Sequence, residues 1–317
     1  MRYNDARVAR WILFALLTAA ALLVLGVLVY AVVSFVRMRV YSPGPLRPML
    51  RALARETYLA ILTQPFLPLY YFAGQRMDHR RSRLAGNHRS AVPVVFVHGY
   101  MQNRVCFLGM ARHLEQRGIG PLYGFNYPWF DTVEANAERL ERFIRFVCRQ
   151  TQSPAVDLVC HSLGGLVALQ TLRTEARASD ANVRRCVTVA TPHAGVLWEG
   201  PLLGVGAAIL RKGSKFLQGQ AGYVLEVPTL SIFSDTDNIV YPTTTSSLRT
   251  RGGRDLEVEG LGHLSILFDA HVADAVADFL LESLEPAAAN VVAPTPEQAA
   301  AAHVDQTQVP DADPRVE

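Results

Sequence analysis

The sequence predicts an α/β fold: a mainly parallel sheet with helices on both faces, preceded by an N-terminal transmembrane helix. Three observations carry it. Apolar runs near Val92, Leu122, Val156, Val187, Thr229 and Leu256 alternate with helical patterns, the arrangement of a parallel sheet covered on both sides. The run Val159-Cys160-His161-Ser162-Leu163-Gly164-Gly165 joins the end of one such strand to helix-forming sequence. Finally, the segment from Trp11 to Val36 contains no charged residue.

Taken in chain order, the uncharged segment comes first. As a helix it would be about 39 Å long, against a hydrocarbon thickness of about 30 Å, so it is long enough to span a bilayer with tilt. A cleaved signal peptide would have a shorter apolar region and a small-residue cleavage site after it, neither of which is present here. Residues 1–40 are therefore expected to be a membrane anchor. Arginines flank both ends, Arg2, Arg7 and Arg10 on one side and Arg37, Arg39, Arg47, Arg51 and Arg55 on the other. Positive-inside counting thus gives only a weak lean toward a cytoplasmic catalytic domain. Residues 41–90 read as a membrane-proximal linker. It includes an apolar stretch from Tyr58 to Gly74, too short and proline-broken to span, and a basic run with Arg76, Arg80, Arg81, Arg83 and Arg89 suited to anionic head groups or to plain solvation.

The α/β domain is expected over 91–284, long enough for one compact core. Its first strand, Ala91 to Val97, ends in His98-Gly99-Tyr100-Met101. Val133, Ala137, Leu140, Phe143, Ile144 and Val147 recur at helical spacing, with Glu138, Arg139, Glu141 and Arg142 on the opposite face, which predicts an amphipathic crossover helix. The strand from Ala155 to Val159 leads into Ser162, placed on a tight turn that opens a helix. Such a turn strains the serine backbone and demands small neighbours. Gly164 satisfies that demand, and Cys160 stands where the usual pattern has its first glycine.

A serine hydroxyl needs a base, and the base needs an orienting carboxylate. After the strand Pro228 to Phe233, a polar loop carries Asp235 and Asp237, of which Asp237 is the preferred acid. After the short strand Leu256 to Glu259, His263 sits in a glycine-flanked loop before a helix expected over Ser265 to Leu281. It is the preferred base: His161 adjoins the serine, His98 ends a strand, and His193 precedes the acid in the chain. An oxyanion requires two backbone N–H donors, and Leu163 and Tyr100 are placed to supply them. Between Val196 and Leu225 an apolar insertion with Trp198, Leu202, Leu203, Ile209, Leu210, Phe216 and Leu217 reads equally as a lid over the site or as a packed helix pair.

Together, His98-Gly99, the Cys160 to Gly165 run, Thr191-Pro192-His193-Ala194-Gly195, Asp237 with Ile239-Val240, and His263 resemble the α/β-hydrolase superfamily, in its bacterial lipase and esterase type. The resemblance covers Ala91 to Leu284 and, with little chain before it, implies a minimal version of that fold. It implies ester hydrolysis through an acyl-enzyme, with Ser162, Asp237 and His263 as catalytic residues and with no metal or organic cofactor. Joined to the anchor, it leads to the expectation of a single-pass protein of a bacterial inner membrane, whose partners are the lipid bilayer and an ester or lipid substrate. Two other readings stay open: acyl transfer on the same fold, and a non-catalytic membrane-tethered interaction module.

The net charge is +3, its basic residues gather near the membrane-proximal segment, and no basic-aromatic interleaving suggests nucleic acid. Cys106, Cys148, Cys160 and Cys186 lack metal-site spacing and read as free thiols. The Ala- and Pro-biased stretch 285–317 is expected to be a disordered tail. Oligomeric state is not legible.

Overall fold

The computed structural model describes residues 2–63, 77, 92–178, 182–197 and 204–283. Six strands form one all-parallel sheet: β1 (Val94–Val97), β2 (Leu122–Phe125), β3 (Val156–His161), β4 (Val183–Val189), β5 (Thr229–Ser234) and β6 (Arg254–Val258). Their spatial order is β2-β1-β3-β4-β5-β6. The order reverses direction at β1, so the C-terminal ends of β1 and β3 lie side by side, with Val97 opposite Cys160. This is where open α/β sheets place their sites.

Alternation along the strands divides the core in two. Val95, Val97, Leu158 and Cys160 face a layer made by α4 (Val133–Thr151) and α5 (Leu163–Ala178). Val94, Phe96, Val187 and Ile232 face the opposite layer, built by α3 (Leu108–Gln116) and α7 (Ala270–Leu281). The expected crossover helix is α4. Thr132 caps its N-terminus by accepting the Ala135 N–H, and its buried stripe includes Val133, Ala137, Leu140, Phe143, Ile144 and Val147. The four cysteines are free.

The structure departs from the sequence reading in three places. The helix expected over Ser265 to Leu281 is broken: a 3-10 turn, Ser265–Phe268, precedes α7. Asp269 stands between them in an extended conformation and accepts the N–H groups of His271 and Val272, a capping role that ends one helix and starts the next. The strand expected from Ala91 begins at Val94, because Pro93 has no N–H to offer a ladder. Within the expected linker, Leu46–Thr63 is an 18-residue helix, α2. The basic run from Arg76 to Arg89, Trp198, Leu202, Leu203 and the expected tail over 285–317 lie outside the described residues. The described part of the insertion forms a 3-10 helix, Val205–Leu210, and α6 (Lys215–Ala221), which packs on α5 through Gln220 to Gln170 and Arg173 to the Gly219 carbonyl.

The long N-terminal helix α1 (Arg2–Tyr41) is apolar enough over Arg10–Tyr41 to cross a membrane. Two regimes divide it. Trp11, Ile12, Leu13, Phe14, Leu17, Leu22, Leu25 and Leu28 are all exposed around the helix. From Ala31 onward one face is buried: Ala31, Ser34, Phe35 and Met38, spaced by three and four residues as a packed helix stripe requires. Phe35 and Met38 meet Ala52 of α2 and Tyr241, and Tyr41 stacks on Tyr241 with ring centroids 5.6 Å apart. The helix thus ends docked on the α/β domain, and residues 1–281 form one compact unit.

Candidate active site

β3 ends at His161, and Ser162 follows with φ of 52°. A non-glycine residue in the left-handed region costs about 1–3 kcal/mol and persists only when its surroundings hold it there. Those surroundings are visible. The Ser162 N–H donates to the Val189 carbonyl on β4, and its carbonyl accepts the Gly165 N–H in the first turn of α5. A Cβ on Gly164 would lie 2.3 Å from the Val97 carbonyl oxygen and 2.5 Å from that of His98. Only glycine lets α5 pass this close to the end of β1. Cys160 is fully buried in β3, and the turn forms with it in the place of the usual glycine.

The structure brings Ser162, Asp237 and His263 together. The Ser162 hydroxyl lies 3.0 Å from His263 Nε2, and His263 Nδ1 lies 2.9 Å from Asp237 Oδ2. Asp237 follows β5, and its Oδ1 accepts the N–H groups of Ile239 and Val240 at 2.8 Å each. With the carboxylate so fixed, the ring donates from Nδ1 and leaves Nε2 free to accept the serine proton. Burial of the His263 ring acts to lower its pKa, but the charge and hydrogen bond of Asp237, joined by the charge of Glu56, outweigh it and hold the pKa above the ordinary 6.5.

The rival residues do other work. Asp235 accepts the Gly260 N–H at 2.8 Å and so ties the loop after β6 to the end of β5. His193 pairs with Thr188, and burial keeps it neutral by pulling its pKa far down. His98 is also held neutral, its pKa lowered to about 4 by burial. It accepts the Tyr127 N–H at Nε2 and so donates from Nδ1 to the Gly99 carbonyl, fixing the loop after β1. The ring of His161 lies 2.9 Å from Gln102 Oε1 and 2.9 Å from the His263 carbonyl oxygen.

Leu163 opens α5 directly after Ser162. The loop bearing Tyr100 passes against the serine: a Cβ on Gly99 would lie 3.0 Å from Ser162 Cβ. The Tyr100 ring packs edge-on against Trp129. Among the described residues no group of His, Cys, Asp or Glu side chains is arranged to hold a metal ion. A cleft of about 310 Å³ between the α1–α2 turn and the ends of β5 and β6 is lined in part by Met38, Pro45, Met49, Asp235 and Glu257, and Ser162 is not among its walls.

Sequence reasoning missed Glu56, Ser34 and Asn238, which surround the His263 loop. The Asn238 carbonyl oxygen accepts the His263 N–H, and its amide donates to the Ser34 hydroxyl on α1. Glu56 on α2 accepts from Leu264 and Ser265. Asn238 adjoins the acid and was open to suspicion. Glu56 is some two hundred positions away from its partners, and nothing local marks it.

Among solved structures, the chain is similar to lipase B of Aspergillus fumigatus, with 18% identity and a TM-score of 0.53 over 61% of this chain and 53% of that one. It thus spans about half the length of that lipase chain. It is also similar to the mature form of the Bacillus licheniformis lipase BlEst2, with 18% identity and a TM-score of 0.52 over 61% of this chain and 92% of that one. At such identity the likeness is one of fold. Residues 94–313 match the alpha/beta hydrolase family, and with the parallel sheet, the strand-to-helix serine and their order along the chain, the protein belongs to the alpha/beta hydrolase family.

Proposed function

We propose that the protein is a membrane-anchored serine hydrolase that cleaves carboxylic esters, lipid esters among them, through an acyl-enzyme. The observation that carries this reading is the unbroken hydrogen-bonded series Ser162, His263, Asp237, with the serine on a strained turn. Ser162 Oγ attacks the ester carbonyl while His263 Nε2 takes its proton. The tetrahedral oxyanion is met by the backbone N–H groups of Leu163 and Tyr100. His263 then returns the proton to the departing alcohol, and water, activated by the same imidazole, releases the acid. Asp237 holds the tautomer and stabilises the imidazolium.

The membrane part of the proposal rests on α1. Trp11 to Tyr30 is about 30 Å of helix, matching the hydrocarbon core of a bilayer, and the buried face begins directly after it, at Ala31. Four residues after Tyr30, Ser34 accepts from the side-chain amide of Asn238, the neighbour of Asp237, at 2.8 Å, so the anchor would leave the bilayer beside the catalytic groups. A lipid ester at the bilayer surface is the substrate class such a placement serves, and lipases are among the structures of similar fold.

The test is labelling of the full chain by a fluorophosphonate probe, with turnover of acyl esters of graded length. The expected result is labelling that Ser162→Ala abolishes, and turnover that rises with acyl length in detergent or vesicles. Persistent labelling of the alanine variant refutes the assignment. Transfer of the acyl group to an added alcohol in preference to water would identify an acyltransferase, and a folded, unreactive protein would identify a binding module.

A further inference from the structure

The loop that carries His263 is held only in part by its own neighbours: the Gly262 N–H donates to Ser265 Oγ and the Ile266 N–H to the Gly262 carbonyl, which leaves the Leu264 and Ser265 N–H groups to find acceptors elsewhere. The 3-10 turn Ser265–Phe268 begins at Leu264, which provides no side-chain cap, and the first N–H groups of any helical turn need acceptors. Here the acceptor is Glu56 of α2. Its Oε1 takes the Leu264 N–H and its Oε2 the Ser265 N–H, at 2.7 Å each. Glu56 is only 7% exposed. Gly262 leaves room for it, since a Cβ there would lie 2.5 Å from Glu56 Oε2. Beside it, Arg55 donates to Asp269 and to the Phe268 carbonyl, so α2 grips both ends of the turn. On the other side, the His263 N–H donates to Asn238, which donates to Ser34 of α1.

Burying a carboxylate is costly unless its bonding is complete. Capping alone would be met more cheaply by a serine, asparagine or aspartate at the head of the turn itself. Instead the cap is delivered from the juxtamembrane helix, and it brings a negative charge to the imidazole.

We infer that Glu56 is a positioning residue for His263, its carboxylate fixing the 262–265 turn so that the imidazole stays between Ser162 and Asp237. The inference rests on the serine-hydrolase reading. The groups that face His263 are Asp237 from the loop after β5, Glu56 from α2 and His161 from the end of β3. Those within electrostatic reach of Glu56 are His263, Asp237 and, from α1, Tyr30. Burial raises the Glu56 pKa above the ordinary carboxylate range, and the two N–H bonds oppose that rise.

The experiment uses the full chain in detergent micelles, with p-nitrophenyl butyrate as substrate and fluorophosphonate labelling as an active-site count. Glu56→Gln keeps the shape but removes the charge and points an NH2 group at one of the two N–H donors. Its expected effect is a fall in kcat of about 10- to 100-fold, the range of small misplacements of a catalytic group, with KM nearly unchanged. The acid limb of its kcat/KM profile is expected to move to lower pH, because a charge that favours the imidazolium is gone. Glu56→Asp retains the charge and withdraws the oxygens, so kcat falls while the acid limb stays near that of the natural protein. A purely structural glutamate would change the amount of folded protein and its melting temperature without moving the limb.

A folded Glu56→Gln protein with full kcat and an unmoved limb overturns the inference. If that variant does not fold, Glu56→Asp decides: a full kcat there overturns it equally. The underlying reading fails differently, through a natural protein that the probe does not label or a Ser162→Ala variant that keeps its turnover, and the inference then falls with it.

Discussion

Replacing Gly164 by alanine tests whether the strained serine turn depends on the close pass of α5 over the end of β1. The new Cβ would lie 2.3 Å from the Val97 carbonyl oxygen, and Cβ contacts in proteins essentially never fall below 3.0 Å. The two segments must therefore separate by at least 0.7 Å, the difference of those values. Both obstructing atoms are backbone, and β1 is held between β2 and β3, so the displacement falls on Ser162 and the start of α5. Overpacking of this kind costs about 1–3 kcal/mol. The greater helix preference of alanine, about 1 kcal/mol, offsets only part of it. A serine moved by most of an ångström from His263 would lose up to about 100-fold in rate. Gly219 serves as the control, because a Cβ there meets nothing within 4 Å and its α6 position gains roughly 0.5–1 kcal/mol from alanine. Thermal unfolding and the rate of fluorophosphonate labelling, measured side by side, give the answer. A Gly164→Ala protein that melts and labels like the natural one would show that the turn has slack, and the argument from close approach would be wrong.

Other expectations follow from the same geometry. Asp237→Asn should leave the fold intact and lower kcat by about four orders of magnitude, since an amide no longer selects the Nδ1–H tautomer; stopped-flow or burst kinetics would measure it, and a loss under tenfold would remove Asp237 from its role. Because the His263 pKa is raised, activity should be present above that pKa and fall as pH drops through it, at a value higher than the ordinary 6.5. By linkage the stability from this histidine is full below the ordinary value and lost as pH rises through the folded one, which melting curves of the Ser162→Ala protein against pH would show; a limb below the ordinary value contradicts both. Phe35→Ala, at a residue only 1% exposed, should destabilise by about 3–5 kcal/mol, whereas Val32→Ala on the exposed face of the same helix should change little. Denaturant titration in detergent separates them, and equal effects would mean that α1 does not dock as described.

The core and the sheet were legible because their rules are periodic. The stripe from Val133 to Val147 is read at helical spacing and is buried as one face of α4. The apolar runs become parallel strands, since a strand buried on both faces must be largely apolar; β6, at the edge of the sheet, is partly exposed and carries Arg254, Asp255 and Glu257. Ser162, Asp237 and His263 were legible as candidates through chain order and small neighbours. Their convergence was not, because a hydrogen bond between residues 101 apart, such as His263 to Ser162, leaves no trace in either segment. The break at Asp269 was missed because an apolar pattern runs through it, and capping is decided by one residue's backbone angles.

Sequence by itself determined the chemical types in play and the strip of apolar helix that precedes them, because burial and bilayer length act on composition and spacing. Only the tertiary structure decided which of two neighbouring aspartates meets the imidazole, and that residues 46–63 form a helix rather than a linker. The same holds for Glu56 and Ser34. Each is an ordinary polar residue in its own helix, and it acquires a role only when packing of Phe35 and Met38 against Ala52 and Tyr241 carries the helix pair to the turn of His263. Physical reach across the fold, rather than local propensity, sets such contacts.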